Sequence, residues 1–183
     1  MNILEADIVF THGNGVTARL IRWFSSSRHK KDSWANHVGI VSKRGHVGRN
    51  MNSRYHPVVI EALVGPGVVE RAWSPTGIIA IARPTNLSLD RRLAIVEAAR
   101  DYVGDKYTES TLLIHLLRLD RVLAKFFGRR WRICSWLVGV AYAKEGLLFG
   151  QEEAALDPDE IFDFVSKEHR TLAGKYRWVI FPS

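Results

Sequence analysis

Val58-Val59-Ile60-Glu61-Ala62-Leu63-Val64-Gly65-Pro66-Gly67-Val68-Val69-Glu70-Arg71-Ala72-Trp73 reads as two β-rich segments around a Gly-Pro-Gly turn. A connection this short joins antiparallel neighbours, because a parallel pair needs a crossover of a dozen residues or more. On either side lie further segments of the same kind. His37-Val38-Gly39-Ile40-Val41-Ser42 precedes the hairpin and ends at the turn Lys43-Arg44-Gly45. Residues 78–82 follow it after Ser74-Pro75-Thr76-Gly77. The sequence opens on another such segment, Ala6-Asp7-Ile8-Val9-Phe10, closed by Thr11-His12-Gly13-Asn14-Gly15. Between it and His37 lie a short amphipathic helix over 16–24, carried by Val16, Leu20, Trp23 and Phe24, and a polar, basic loop over 25–33.

Beyond residue 87 the period changes. Ser88 is a fitting N-cap for a helix to about residue 103, with Leu89, Leu93, Val96, Ala99 and Val103 on one face and Gly104 as its stop. A second helix is expected over 109–127, with Arg118, Arg121 and Lys125 sharing a face. A third runs over 132–144 and closes near Gly146. Asp157-Pro158-Asp159-Glu160 starts a fourth, with an Asp N-cap, Pro at N1 and Glu at N3. Residues 176–181 end the chain as a last strand. Strands grouped together and then helices grouped together give an α+β fold, not a doubly wound sheet. No linker divides it, so residues 1–183 read as one domain, with a helical basic insert at about 108–131.

With 183 residues, 46% of them apolar, the chain can bury a full core, roughly 70% of its unfolded surface. Its single cysteine excludes an internal disulfide, and there is no Cys pair for a zinc knuckle. None of the seven histidines has a spacing such as H-E-x-x-H, so neither a metal nor a cofactor is called for. The first residues are acidic where a secretory signal would be basic, and no uncharged apolar run approaches the ~18 residues of a membrane span. A cytoplasmic protein is expected, with signal-independent export as the alternative. The net charge of +7 and a pI near 9.8 favour anionic partners. The charge gathers at Arg28, Lys30 and Lys31 and at Arg118, Arg121, Lys125, Arg129, Arg130 and Arg132. These clusters fit a solvated face, or a surface for anionic lipid or an acidic polymer. No nucleic-acid-binding motif accompanies them.

Three residues stand out chemically. Cys134, in Ile133-Cys134-Ser135-Trp136-Leu137-Val138, lies at a helix start near Arg129, Arg130 and Arg132. Free backbone N–H groups and positive charge favour the thiolate, which is the nucleophile. The same local sequence fits a small buried hydrophobe sharing a face with Leu137, Val138 and Ala141. His37, on a strand with Gly39 and Val41 on its face, is a candidate base or a structural histidine. Gly39 would leave room for a helix or a substrate. Glu61 interrupts an apolar run that reads as buried on both faces, where an ionised carboxylate must be paired. It fits the acid that orients an imidazole, or a sheet-edge glutamate with its charge in water. Taken together, a His on one β segment, an acid on the next and a Cys at a helix start are what a thiol site needs.

At these residues the chain resembles the circularly permuted branch of the NlpC/P60 superfamily of papain-like cysteine hydrolases. The resemblance runs through the opening strand 6–10, Asn36-His37-Val38-Gly39-Ile40-Val41, Val59-Ile60-Glu61-Ala62 with Gly67-Val68-Val69-Glu70, Tyr102-Val103-Gly104-Asp105-Lys106-Tyr107, and the Cys134 helix. The histidine precedes the cysteine, the reverse of ordinary papain-like chains. The resemblance implies a small antiparallel sheet packed on the cysteine helix, with Cys134 as nucleophile, His37 as base and Glu61 as third polar residue. It sets Tyr107 near the site, as an oxyanion or substrate-side group or as a packed aromatic. It also implies hydrolysis or acyl transfer at an amide or ester through an acyl-thioester. Trp136 departs from the polar or acidic residue common in relatives, and it and the insert could reshape the substrate pocket. The leading expectation is a cysteine peptidase or amidase acting on a peptide of cell-wall type. A lipid-directed acyl hydrolase or acyltransferase is the rival, favoured by the apolar, basic-faced stretch 112–127. A non-enzymatic module binding an anionic polymer is the alternative of another class.

Overall fold

A computed structural model describes residues 2–12, 35–46, 56–73, 78–106, 134–149, 157–171 and 174–180. In them lie the strands β1 (Asn2–Ile3), β2 (Ile8–Thr11), β3 (His37–Lys43), β4 (Gly45–His46), β5 (Val58–Leu63), β6 (Gly67–Ala72) and β7 (Ile78–Pro84). The helices α1 (Leu89–Arg100), α2 (Cys134–Ala143) and α3 (Pro158–His169) follow, and then β8 (Tyr176–Ile180). The fold is α+β. Six strands form one sheet in the order β6-β5-β3-β2-β7-β8, with every neighbouring pair antiparallel. β1 and β4 pair separately. The expected helices over 16–24 and 109–127, and the basic insert at 108–131, fall outside the described residues.

The β5–β6 hairpin pairs without interruption from Val58↔Ala72 to Leu63↔Gly67. Its turn end is tied to the loop after α1: Val68 N–H donates to Asp105 O at 2.8 Å, and Gly104 N–H donates to Val68 O at 2.9 Å. Gly67 is required there. Its φ is +85°, and an added Cβ would stand 2.1 Å from Asp105 O.

Alternation along the strands builds two apolar layers. Ile8, Phe10, Val38, Ile40, Ile60, Ala62, Ala80 and Ala82 meet the helices on one face. Val9, Val41, Val59 and Ile81 join Ile3 and Trp73 on the other. α2 is buried almost all round, from Cys134 to Gly139 and at Ala141 and Tyr142, and lies against β3, β5, α1 and α3.

Two local expectations are corrected. The opening strand begins at Ile8, not Ala6, because Ala6 takes a φ of +57° and Asp7 turns inward. The Asp7 carboxylate is fully buried, accepting from Leu4 N at 2.9 Å and from both Nε and Nη2 of Arg83 at 2.9 and 2.8 Å. The Tyr142 hydroxyl donates to Ala6 O and fixes the bend. The buried face of α1 is shifted from the expected one. Val96 and Ala99 of that face are buried, together with Arg92, Ile95 and Ala98, while Leu89, Leu93 and, just beyond the helix, Val103 are exposed. Arg92 can lie on the buried side because its guanidinium donates to Glu5 O at 3.1 Å and to Pro84 O at 2.9 Å. The N-cap of α1 is Ser88, as the sequence indicates, and the helix stops at Arg100 before Gly104.

α3 begins as its sequence dictates, with a reciprocal capping box between Asp157 and Glu160 and Pro158 in the first turn. Among the described residues no helix is long and apolar enough to cross a membrane.

Candidate active site

The β3–β5 ladder pairs Ile40 with Ile60 and Val41 with Val59. One step further along, this register sets Gly39 opposite Glu61 and makes His37 the diagonal neighbour of Glu61. Diagonal residues on one face lie within reach of long side chains. Gly39 makes that reach feasible, since a Cβ there would stand 2.8 Å from Val59 Cγ1 and 3.3 Å from Glu61 Cβ. The room left by Gly39 is therefore taken by β5, not by a helix or a substrate.

Glu61 leans across this gap. Its Oε2 stands 2.6 Å from His37 Nε2. The Glu61 side chain is 4% exposed and that of His37 is 20% exposed. β5 lies between β3 and β6, so Glu61 is an interior residue and not a sheet-edge glutamate in water. Nε2 bonds the carboxylate, and the buried thiol of Cys134 lies near enough to the imidazole to act on its charge state. His37 is the first residue of β3 and Cys134 the first of α2, so the leading ends of two packed elements meet here.

Electrostatics follow from this geometry. Burial alone would lower the His37 pKa, but the negative charge and hydrogen bond of Cys134, and then those of Glu61, outweigh it and push it up to about 10. Burial likewise works to raise the Glu61 carboxyl. The hydrogen bond and charge of His37, and then those of Arg71, overcome it and hold the carboxyl below its ordinary range.

Arg71 is the member that sequence reading missed. Its Nε donates to Glu61 Oε1 at 2.6 Å. The register pairs Glu61 with Val69, which makes Arg71 the diagonal neighbour on β6. That placement follows from hairpin alternation once the turn length is fixed, so the signal was present in the sequence. Trp136 is 7% exposed and stacks edge-on with Tyr102, ring centroids 5.1 Å apart, so its bulk fills the core. Tyr107, Arg118, Arg121, Lys125, Arg129 and Arg130 fall outside the described residues.

The whole arrangement bears comparison with a solved structure. The fold resembles that of metalloprotein yiiX. The crystal structure of this Escherichia coli O157:H7 protein (DUF1105) aligns with a TM-score of 0.53 and 17% identity, over 98% of this chain and 89% of yiiX. At that identity the likeness to yiiX is one of fold. No family model and no curated protein matches the chain.

Proposed function

We propose that the chain is a cysteine hydrolase of the permuted papain-like, NlpC/P60-related kind, cleaving an amide bond with Cys134, His37 and Glu61. The observation that carries this reading is one buried acid bonded to an imidazole whose charge state the sole cysteine also acts on. The yiiX-like fold and the order strand histidine, strand acid, helix cysteine support it.

In this reading Cys134 acts as the thiolate, its proton having passed to His37. The thiolate attacks the carbonyl carbon, and backbone N–H groups at the start of α2 stabilise the oxyanion. His37 then gives its proton to the leaving nitrogen as the C–N bond breaks, leaving an acyl-thioester. Neutral His37 takes a proton from water, the resulting hydroxide attacks the thioester carbon, and the C–S bond breaks. Glu61 keeps Nε2–H as the donor and stabilises the imidazolium in both halves.

yiiX is described as a metalloprotein. Among the described residues of this chain no group of three or more His, Cys, Asp or Glu is placed to hold a metal ion, and His37 Nε2 is already bonded to Glu61. The donor set formed by the described residues does not fit a metal.

The peptide reading of the substrate is tested by intact-mass detection of an acyl adduct on Cys134. The full chain is incubated separately with cell-wall peptides and with acyl phospholipid vesicles. A peptidyl adduct that is lost in Cys134→Ala supports the proposal. An adduct from the phospholipid alone would replace it with the lipid-directed acyl chemistry, and Tyr107 and the basic stretch 108–131 would then be the residues to vary.

A further inference from the structure

We infer that Arg71 is a positioning residue for this site: its guanidinium anchors and charge-balances Glu61 so that the carboxylate presents one fixed oxygen to His37. The inference rests on the Cys134–His37–Glu61 reading above.

A glutamate carboxylate is broad about its terminal torsion, so one hydrogen bond does not fix its plane. Here both oxygens are engaged, Oε2 by His37 from β3 and Oε1 by Arg71 from β6, each at 2.6 Å. The two donors stand on the strands flanking β5, so rotation of the carboxylate would break both contacts at once. Arg71 thus sets a guanidinium against the carboxylate that bonds the His37 ring. Among the described residues, the charged or titratable groups acting on Glu61 are His37 and Arg71, and those acting on His37 are Glu61 from β5 and Cys134 from α2.

The neighbouring arginine pair shows what an ordinary structural contact looks like on the same hairpin. Arg100 Nη2 donates to Glu70 at 2.8 Å, joining α1 to β6 between side chains that are both well exposed. Arg71 differs. Its own side chain is 56% exposed, yet its Nε points inward to a carboxylate that is 4% exposed. Most of the arginine remains in water, so it adds little to the core, and its contact is with the acid that orients His37.

Removing one positive charge from beside these groups makes every proton on them harder to lose, so their titrations move to higher pH. The test is the rate at which iodoacetamide alkylates Cys134 in the full chain across pH, read as adduct mass. It is run on the unmodified protein, Arg71→Gln and Arg71→Lys, with far-UV circular dichroism as the fold check. Arg71→Gln is expected to move the acid limb up by about half a unit to one unit, discounted for the exposure of Arg71, so that the rate at a fixed pH on that limb falls roughly three- to tenfold. Arg71→Lys, which keeps the charge, is expected to fall between the two. A Gln profile that superimposes on the unmodified one, or a Lys profile displaced as far as Gln, would overturn the role of Arg71. Failure of the underlying reading looks different: Cys134 in the unmodified protein would react no faster than free cysteine, and His37→Ala would change nothing.

Discussion

His37 Nε2 and Glu61 Oε2 stand 2.6 Å apart across two adjacent strands, although 24 positions separate the residues in the chain. A buried carboxylate is costly unless paired, and this one is paired twice, with the imidazole and with the guanidinium of Arg71. The contact engages Nε2 of the imidazole and leaves Nδ1 outside it.

Glu61→Gln tests the charge of that contact through the pH dependence of stability. The Glu61 carboxyl is held below its ordinary range in the folded state, so the unfolded chain binds more protons in acid. The stability this supplies is therefore present above the ordinary carboxyl pKa of about 4.3 and is lost as pH falls through the folded value. The variant is expected to be less stable at neutral pH and to lose less on acidification. Urea midpoints between roughly pH 3 and pH 7 check this. Parallel curves for the two proteins would show that the charge of Glu61 is not what the pairing stabilises.

Gly39→Ala tests the close approach that lets Glu61 reach across. The added methyl would stand 2.8 Å from Val59 Cγ1 and 3.2 Å from Ile60 O, contacts that force β5 to move. The expected cost is about 1–3 kcal/mol, as for other overpacked sites. Thiol reactivity should fall with it, because the same shift carries Glu61 away from His37. A stable, fully reactive variant would mean that β5 can shift without moving the acid.

Arg92→Met and Leu93→Ala together test which face of α1 is buried. Arg92 satisfies two backbone carbonyls and stands 3.7 Å from the buried carboxylate of Asp7. Its loss should cost about 2–4 kcal/mol by leaving those groups unpaired. Leu93 is 40% exposed, and its truncation should stay within about 0.5 kcal/mol. Thermal midpoints distinguish them, and the reverse order would restore the leucine face as the buried one.

The local parts of the fold were legible in the chain because their causes are local. Gly65-Pro66-Gly67 set the hairpin, and Asp157 with Glu160 set the start of α3. What escaped depended on distant partners. The face of α1 was read correctly at Val96 and Ala99 but not at the leucines, because an arginine can be buried when carbonyls from Glu5 and Pro84 receive it, and hydrophobic spacing does not show that. The turn at Ala6 and Asp7 was read as strand because Arg83, the partner that draws Asp7 inward, lies 76 residues away. Within the site, His37, Glu61 and Cys134 could be singled out by residue type and segment. Arg71 needed one step more, because only the register that the turn length sets shows which acid it faces.

The most direct test of the thiol site is the rate of Cys134 alkylation by iodoacetamide at neutral pH, compared among the unmodified protein, His37→Ala and free cysteine. Cys134→Ala serves as the blank. Cys134 is expected to react roughly tenfold or more faster than free cysteine, as thiols beside an imidazolium do, and His37→Ala to remove the advantage. A rate equal to that of free cysteine, unchanged by His37→Ala, would contradict it.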